Sequence, residues 1–180
     1  MERWRQLREI RRGTIFKFRG IEWVLLGHIG GALAITKDVV CQRSFDVIHR
    51  NNYAESTIRE YLNGEFAERI GAINDPGFLP FKLYLTADDG TSYGECTDKV
   101  FLLPQHVYEY YFRLMPPVKN WCWTATAQSA LRKYDVYKIS NKGVTYVGSV
   151  ANGRGGVRPA VYLNELISVT IDGEEGDKND

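Results

Sequence analysis

Between Gly13 and Lys37 the chain runs Thr14-Ile15-Phe16-Lys17-Phe18, then Ile21-Glu22-Trp23-Val24-Leu25-Leu26, then Ala32-Leu33-Ala34-Ile35-Thr36, with breaks at Arg19-Gly20 and from Gly27 to Gly31. Short runs rich in β-branched and aromatic residues, bounded by glycine, are strand signals, and these breaks read as hairpin turns. A parallel crossover needs about a dozen residues or more, so connections this short admit only an antiparallel meander.

The period then changes. Ile58, Tyr61, Leu62 and Phe66 are spaced for one face of a helix within residues 54–70, and Thr57 with Glu60 offers a capping box at its start. Asn63-Gly64 is placed to interrupt that helix, and Asn74-Asp75-Pro76-Gly77 is a turn. Lys82 to Thr86 reads as a strand before the loop Asp88-Asp89-Gly90, and Lys99-Val100-Phe101-Leu102-Leu103 as a buried strand. Pro104 suits the first turn of a second helix, whose stripe of Val107, Tyr108, Tyr111 and Phe112 reads as core, with a ligand site as the competing reading. After Pro116-Pro117 the chain is β again: Trp121 to Thr126, Tyr134 to Ser140, Val144 to Val150, Val157 to Leu163, and Ile167 to Ile171, with Asn141-Lys142-Gly143 as a hairpin turn. The order β, α, β, α and then many strands predicts an α+β fold, antiparallel sheets with two or three packed helices.

A chain of 180 residues that is 44% hydrophobic and 13% aromatic falls within the ~100 to 200 residues of one domain. No stretch reaches the ~18 consecutive apolar residues of a membrane span, and Met1-Glu2-Arg3-Trp4-Arg5 opens no signal-peptide run, so a cytoplasmic location is expected. Lys plus Arg number 23 against 22 Asp plus Glu, which excludes both a DNA-coating polycation and a polyanionic DNA mimic. Nucleic-acid contact would have to be local. The candidates are Arg3, Arg5, Arg8, Arg11 and Arg12 of the basic head. Residues 1–12 are expected to form a basic amphipathic helix with Trp4, Leu7 and Ile10 docked on a single domain spanning 13–171, and residues 172–180 an acidic, disordered tail.

Chemical signals are weak. Cys41, Cys96 and Cys122 are odd in number and widely spaced, which suits reduced thiols in a reducing compartment. His28, His49 and His106 pair with no cysteine or carboxylate at a metal-ligand spacing, and no cofactor or metal is expected. Asn152-Gly153-Arg154-Gly155-Gly156 lacks the lysine of a phosphate loop and leads into a strand, so it reads as a loop tip presenting Arg154. Ser44, Ser56, Ser92, Ser129 and Ser149 lack the frame of a nucleophile elbow. The expectation is a protein that is not an enzyme.

Four segments carry a resemblance when taken in order: Phe18-Arg19-Gly20-Ile21-Glu22-Trp23-Val24-Leu25, Ser56-Thr57-Ile58-Arg59-Glu60-Tyr61-Leu62-Asn63, Thr97-Asp98-Lys99-Val100-Phe101-Leu102-Leu103 and Gly156-Val157-Arg158-Pro159-Ala160-Val161-Tyr162-Leu163. Over roughly residues 13–165 the chain resembles an uncharacterised domain family of gut bacteria and their phages. That family is related in fold to formylglycine-generating enzymes and to the C-type-lectin-like variable proteins of diversity-generating retroelements. The resemblance implies a C-type-lectin-like fold with Arg158 as a buried anchor. It does not carry over the oxidase activity, because no close cysteine pair follows Cys122, nor calcium-dependent sugar binding, because the Glu-Pro-Asn and Gln-Pro-Asp motifs are missing. The family's Trp-Trp-Leu-Arg-Ser-Pro-like segment is also rewritten as Trp121-Cys122-Trp123-Thr124-Ala125-Thr126.

In the retroelement relatives the stretch before the last strand binds the target. Mapped here, it implies partner-binding roles for Thr126, Gln128, Ser129, Arg132, Lys133, Tyr134 and Arg154, with an ordinary solvated loop as the competing reading. The functional expectation is a phage- or mobile-element-encoded binder that inhibits a host macromolecule and so evades host defence. Its most concrete form is an anti-CRISPR inhibitor of an RNA-guided nuclease or its nucleic-acid complex. A glycan- or receptor-recognition module of a phage or cell surface is the alternative, and a degenerate enzyme with an unrecognised pocket the third.

Overall fold

The computed structural model describes residues 2–151 and 153–172. Within them lie β1 (Glu2–Gln6), β2 (Ile15–Phe18), β3 (Ile21–His28), β4 (Ala32–Thr36), β5 (Cys41–Arg43), β6 (Phe78–Leu79), β7 (Phe81–Thr86) and β8 (Ser92–Asp98). The second half adds β9 (Val100–Phe101), β10 (Cys122–Ala127), β11 (Asp135–Ile139), β12 (Thr145–Ser149), β13 (Gly155–Val157), β14 (Ala160–Leu163) and β15 (Ser168–Asp172). One helix is built from α1 (Thr57–Tyr61) and α2 (Ala67–Arg69), joined by a π-helical turn over Leu62–Phe66; a second is α3 (Gln105–Tyr111). The class is therefore α+β, mostly antiparallel sheet with two short helices.

The larger sheet runs β1-β15-β2-β3-β4-β14-β6, with β9 also on β14, and the smaller runs β12-β11-β10-β13-β5. The hairpin of β7 and β8 stands apart from both. The meander of β2, β3 and β4 is antiparallel throughout, with Phe16 opposite Trp23 and Val24 opposite Ile35. β4 is buried along its whole length, and Trp23 to Gly27 of β3 likewise, because both faces of these strands are covered. By contrast β7 alternates, with Leu83 and Leu85 inward and Lys82, Tyr84 and Thr86 in solvent.

Arg158 lies where the chain leaves the smaller sheet at β13 and enters the larger at β14. The expected continuous strand from Val157 to Leu163 is broken there, since Pro159 lacks an N–H for the ladder. The guanidinium is buried and donates to the carbonyl oxygens of Thr36 (2.8 Å) and Lys37 (2.7 Å) and to the Tyr108 hydroxyl (2.8 Å). It is the anchor that the resemblance implied, tying β4, the sheet crossover and α3 together.

Residues 1–12 do not form the expected amphipathic helix. Glu2–Gln6 pairs antiparallel with β15, from Glu2 opposite Asp172 to Gln6 opposite Ser168, and the ladder continues through Leu7 N–H to the Ile167 carbonyl. An isolated helix this short is marginal in water, whereas the open edge of β15 offers the backbone partners at once. Leu7 and Ile10 are buried as expected, through a 3₁₀ turn at Leu7–Glu9, but Trp4 stands in solvent. The acidic tail was expected from residue 172; Asp172 ends β15, and residues 173–180 lie outside the described ones, as does Asn152.

Two local details also differ. The first helix is capped one residue earlier than the Thr57–Glu60 box, by the Ser56 hydroxyl, which accepts from Arg59 N–H at 3.3 Å and donates to the Tyr53 carbonyl at 2.7 Å. Pro104 is the N-cap of α3 rather than a residue of its first turn. The interruption at Asn63-Gly64 is the π turn, where the Asn63 amide reaches the Val100 carbonyl at 3.0 Å.

Candidate functional site

The segment between β10 and β11, residues 128–134, is the longest irregular connection near the sequence-predicted contact residues, and its backbone is bonded on every side. Gln128 N–H donates to the Asp135 carbonyl (2.9 Å) and closes the base. Ala130 N–H donates to the Thr91 hydroxyl (2.7 Å), and Val150 N–H to the Tyr134 carbonyl (2.8 Å). Inside the loop the Ser129 hydroxyl accepts from the N–H groups of Leu131 and Arg132.

Asn51 is the centre of this arrangement. Its side chain is fully enclosed, and the amide nitrogen is shared among the carbonyls of Ser129 (3.0 Å), Arg132 (2.9 Å) and Asp135 (2.9 Å). The amide oxygen accepts from the Tyr93 hydroxyl at 2.6 Å, and Asn51 N–H donates to the Lys133 carbonyl at 3.0 Å. One side chain therefore ties three loop carbonyls together, two of which also accept a backbone N–H (Arg132 from Tyr134, Asp135 from Gln128), and fixes the loop's shape. Burial pushes the Tyr93 phenol above its ordinary pKa, so it stays protonated as a donor.

A second turn adjoins the first through that Asn51–Lys133 bond. Asp46, wholly buried, accepts from Arg50 N–H and Arg50 Nε (both 3.0 Å) and from Thr57 N–H (3.1 Å). Residues 47–49 turn around this carboxylate, and His49 takes the left-handed backbone region with φ of 62°. Burial on its own would raise the Asp46 pKa and is the largest influence, but the bonds from Arg50 and Thr57 together hold it below the usual carboxylate range.

The two anchored turns present large side chains to solvent. Val47 is 67% exposed, Ile48 64%, Leu131 81% and Tyr134 66%, with Arg132 and Lys133 exposed between the last two. Scattered apolar side chains are normal on any surface, whereas four on two adjoining turns, with Arg132 and Lys133 beside them, make a mixed apolar and basic patch.

The structure brings together only some of the residues singled out from sequence. Arg132, Lys133 and Tyr134 point outward and Gln128 is half-buried. Ser129 is buried as the loop's internal hydroxyl partner, which corrects it from surface contact to scaffold, and half-buried Thr126 accepts from Gln105 N–H (3.0 Å) at the start of α3. Arg154 is exposed, but its guanidinium is pinned to the Gln42 carbonyl of β5 (2.7 and 3.0 Å). Arg3, Arg5, Arg8, Arg11 and Arg12 are all exposed, Arg3 and Arg5 on the same side of edge strand β1. Leu131, Val47, Ile48 and the organising Asn51 had been missed. The pair Asn51-Asn52 was the available signal, but its two members divide: Asn52 makes a local cap to Ala54 N–H, and Asn51 bonds residues some eighty positions away.

No family model, no curated protein and no solved structure matches this chain. Burial pushes the thiols of Cys96 and Cys122 up to about 11, which suppresses the thiolate that a nucleophile or metal ligand needs, and all three cysteines are free thiols. His28 is held by Glu165 (2.8 Å) and the Ile10 carbonyl (3.2 Å). Lys138 is buried with its ammonium over the rings of Trp121 (4.3 Å) and Trp123 (4.6 Å) and donates to the Ser149 carbonyl; burial lowers its pKa. Among the described residues no three His, Cys, Asp or Glu side chains gather as metal ligands, and no helix is long and apolar enough to cross a membrane.

Proposed function

We propose that this protein is a non-catalytic binding module on a C-type-lectin-like frame, and that residues 131–134 together with Val47 and Ile48 contact a protein partner. The observation that carries this is the Asn51 anchor: a loop whose carbonyls are already satisfied loses little conformational freedom when its side chains are engaged. Tyr134 and Arg132 are of the residue types that dominate binding hot spots, and Leu131 supplies apolar area beside them. The balanced net charge of +1 favours a protein surface over a nucleic-acid backbone as the main contact, with the exposed arginines of the first twelve residues as a secondary, local one.

The resemblance to phage-associated domains gives the partner its most concrete form, an RNA-guided nuclease acting in the bacterial cytoplasm. A plasmid-interference assay tests this. Expression of the chain should restore transformation by a targeted plasmid, and the double substitution Leu131→Asp with Tyr134→Ala should remove the effect while leaving the melting temperature in place. Interference that is unchanged by the wild-type chain removes the nuclease reading.

A further inference from the structure

A separate cavity of about 540 Å³ lies between α3, the turn linking β3 to β4, and the start of β7, and shares no residue with the two turns described above. We propose that it is a binding site for a small, uncharged, flat aromatic molecule.

Its volume falls within the ~300 to 1,000 Å³ of small-molecule sites. Five rings line it: Phe81, His106, Tyr110, Tyr111 and Tyr162. Rings of this kind favour stacked and edge-on contact with a planar guest. Among the described residues no Asp, Glu, Lys or Arg lines it, so an ionised ligand would shed its hydration with no charged group there to replace it.

The walls are set in place before any guest arrives. Tyr162 lies flat on Gly31, where a Cβ would fall 2.7 Å from its Cζ, so only glycine admits the ring there. The Tyr162 hydroxyl donates to the Ile29 carbonyl, Phe81 meets the Tyr162 ring edge-on at 5.5 Å, and Phe81 is itself stacked on Phe101 at 4.6 Å. His106 and Tyr110 are four residues apart on α3 and share one face; both are exposed, so they form the rim and can bond one polar substituent of the guest. An extended peptide is disfavoured as occupant. It needs free backbone partners, and at Ile29 the carbonyl is taken by Tyr162 and the N–H by the Gly31 carbonyl (2.8 Å).

The test is a fluorescence titration of the purified chain with 2-naphthol, read alongside amide chemical shifts. Saturable one-site binding is expected, with shifts confined to residues 29–33, 81, 105–111 and 162. Naphthalene-2-sulfonate, of the same shape but charged, should bind about tenfold or more weakly. His106→Trp, at an exposed rim position, and Val107→Trp, in the wall, should each weaken 2-naphthol by about tenfold or more at an unchanged melting temperature. Leu131→Ala with Tyr134→Ala should leave it untouched, which separates this site from the proposed protein contact. Absence of saturation in the wild type, equal affinity for the sulfonate, or wild-type affinity in His106→Trp overturns the proposal; because His106 is exposed, that variant decides the matter even if Val107→Trp does not fold.

Discussion

The guanidinium of Arg158 donates to the hydroxyl of Tyr108 at 2.8 Å, joining the crossover between the two sheets to the buried face of α3. Burial raises the Tyr108 phenol pKa against the opposing pull of Arg158, so the phenol remains a neutral acceptor for the cation. The same guanidinium serves the carbonyls of Thr36, which ends β4, and of Lys37 just after it, so its removal is felt in three elements at once.

Arg158→Met, which keeps much of the volume but none of the donors, should therefore destabilise the fold by about 2 to 5 kcal/mol, since buried acceptors left unpaired cost about 1 to 3 kcal/mol each. Tyr108→Phe removes one of the three acceptors and should cost about 1 kcal/mol. Urea denaturation midpoints with unchanged slopes measure both. A midpoint for Arg158→Met equal to wild type would contradict the anchoring role.

Asn51→Ala should release the loop at residues 129–135 without unfolding the sheets. Amide hydrogen exchange ought to accelerate for Gln128, Leu131, Arg132 and Val150 while the β2, β3 and β4 amides stay protected, with a global loss of about 1 to 3 kcal/mol. Asn51→Asp should be worse than alanine, because a carboxylate would face the carbonyls of Ser129, Arg132 and Asp135.

Asp46 makes acid stability predictable in sign. Its folded pKa is depressed, so its contribution is complete above the unfolded value of about 3.9 and is lost as pH falls through the folded value. Unfolding free energy measured from pH 6 downward should be flat with respect to this group until about pH 4 and then decline. Asp46→Asn should start lower and decline less steeply. A residual slope will remain, because Asp75 and Asp89 are depressed as well.

The thiols of Cys96 and Cys122 should be nearly inert in the native state. With values of about 11, only about one in a thousand is ionised at pH 8, against roughly a quarter for a free thiol. Iodoacetamide labelling followed by peptide mapping should show both modified on the order of a hundredfold more slowly than in urea. For half-buried Cys96 the rate should rise about tenfold per pH unit toward 11, and for enclosed Cys122 burial should slow it further.

Much of this fold was legible along the chain, wherever the deciding force is local. Glycine-bounded apolar runs gave the meander of β2 to β4, a 3.6-residue period gave both helices, and Asn141-Lys142-Gly143 gave its hairpin, with Ser140 N–H bonding the Val144 carbonyl. In the candidate segment, Arg132, Lys133 and Tyr134 are exposed.

What lay beyond local reading was decided by pairing across the chain. The first residues carry a spacing that suits a helix face and became β1, because β15, more than 160 residues later in sequence, presented an open edge with Trp4 opposite Thr170. Ser129 and Thr126 look like surface polar residues until the fold turns their hydroxyls onto backbone N–H groups. Asn51 is indistinguishable from its neighbour Asn52 in the sequence, yet one bonds two residues ahead and the other gathers three carbonyls from another loop. Residue types and their periods determine which segments are strand, helix or turn. Only the tertiary structure selects the partners of each buried polar group, because that choice rests on distances between segments far apart along the chain.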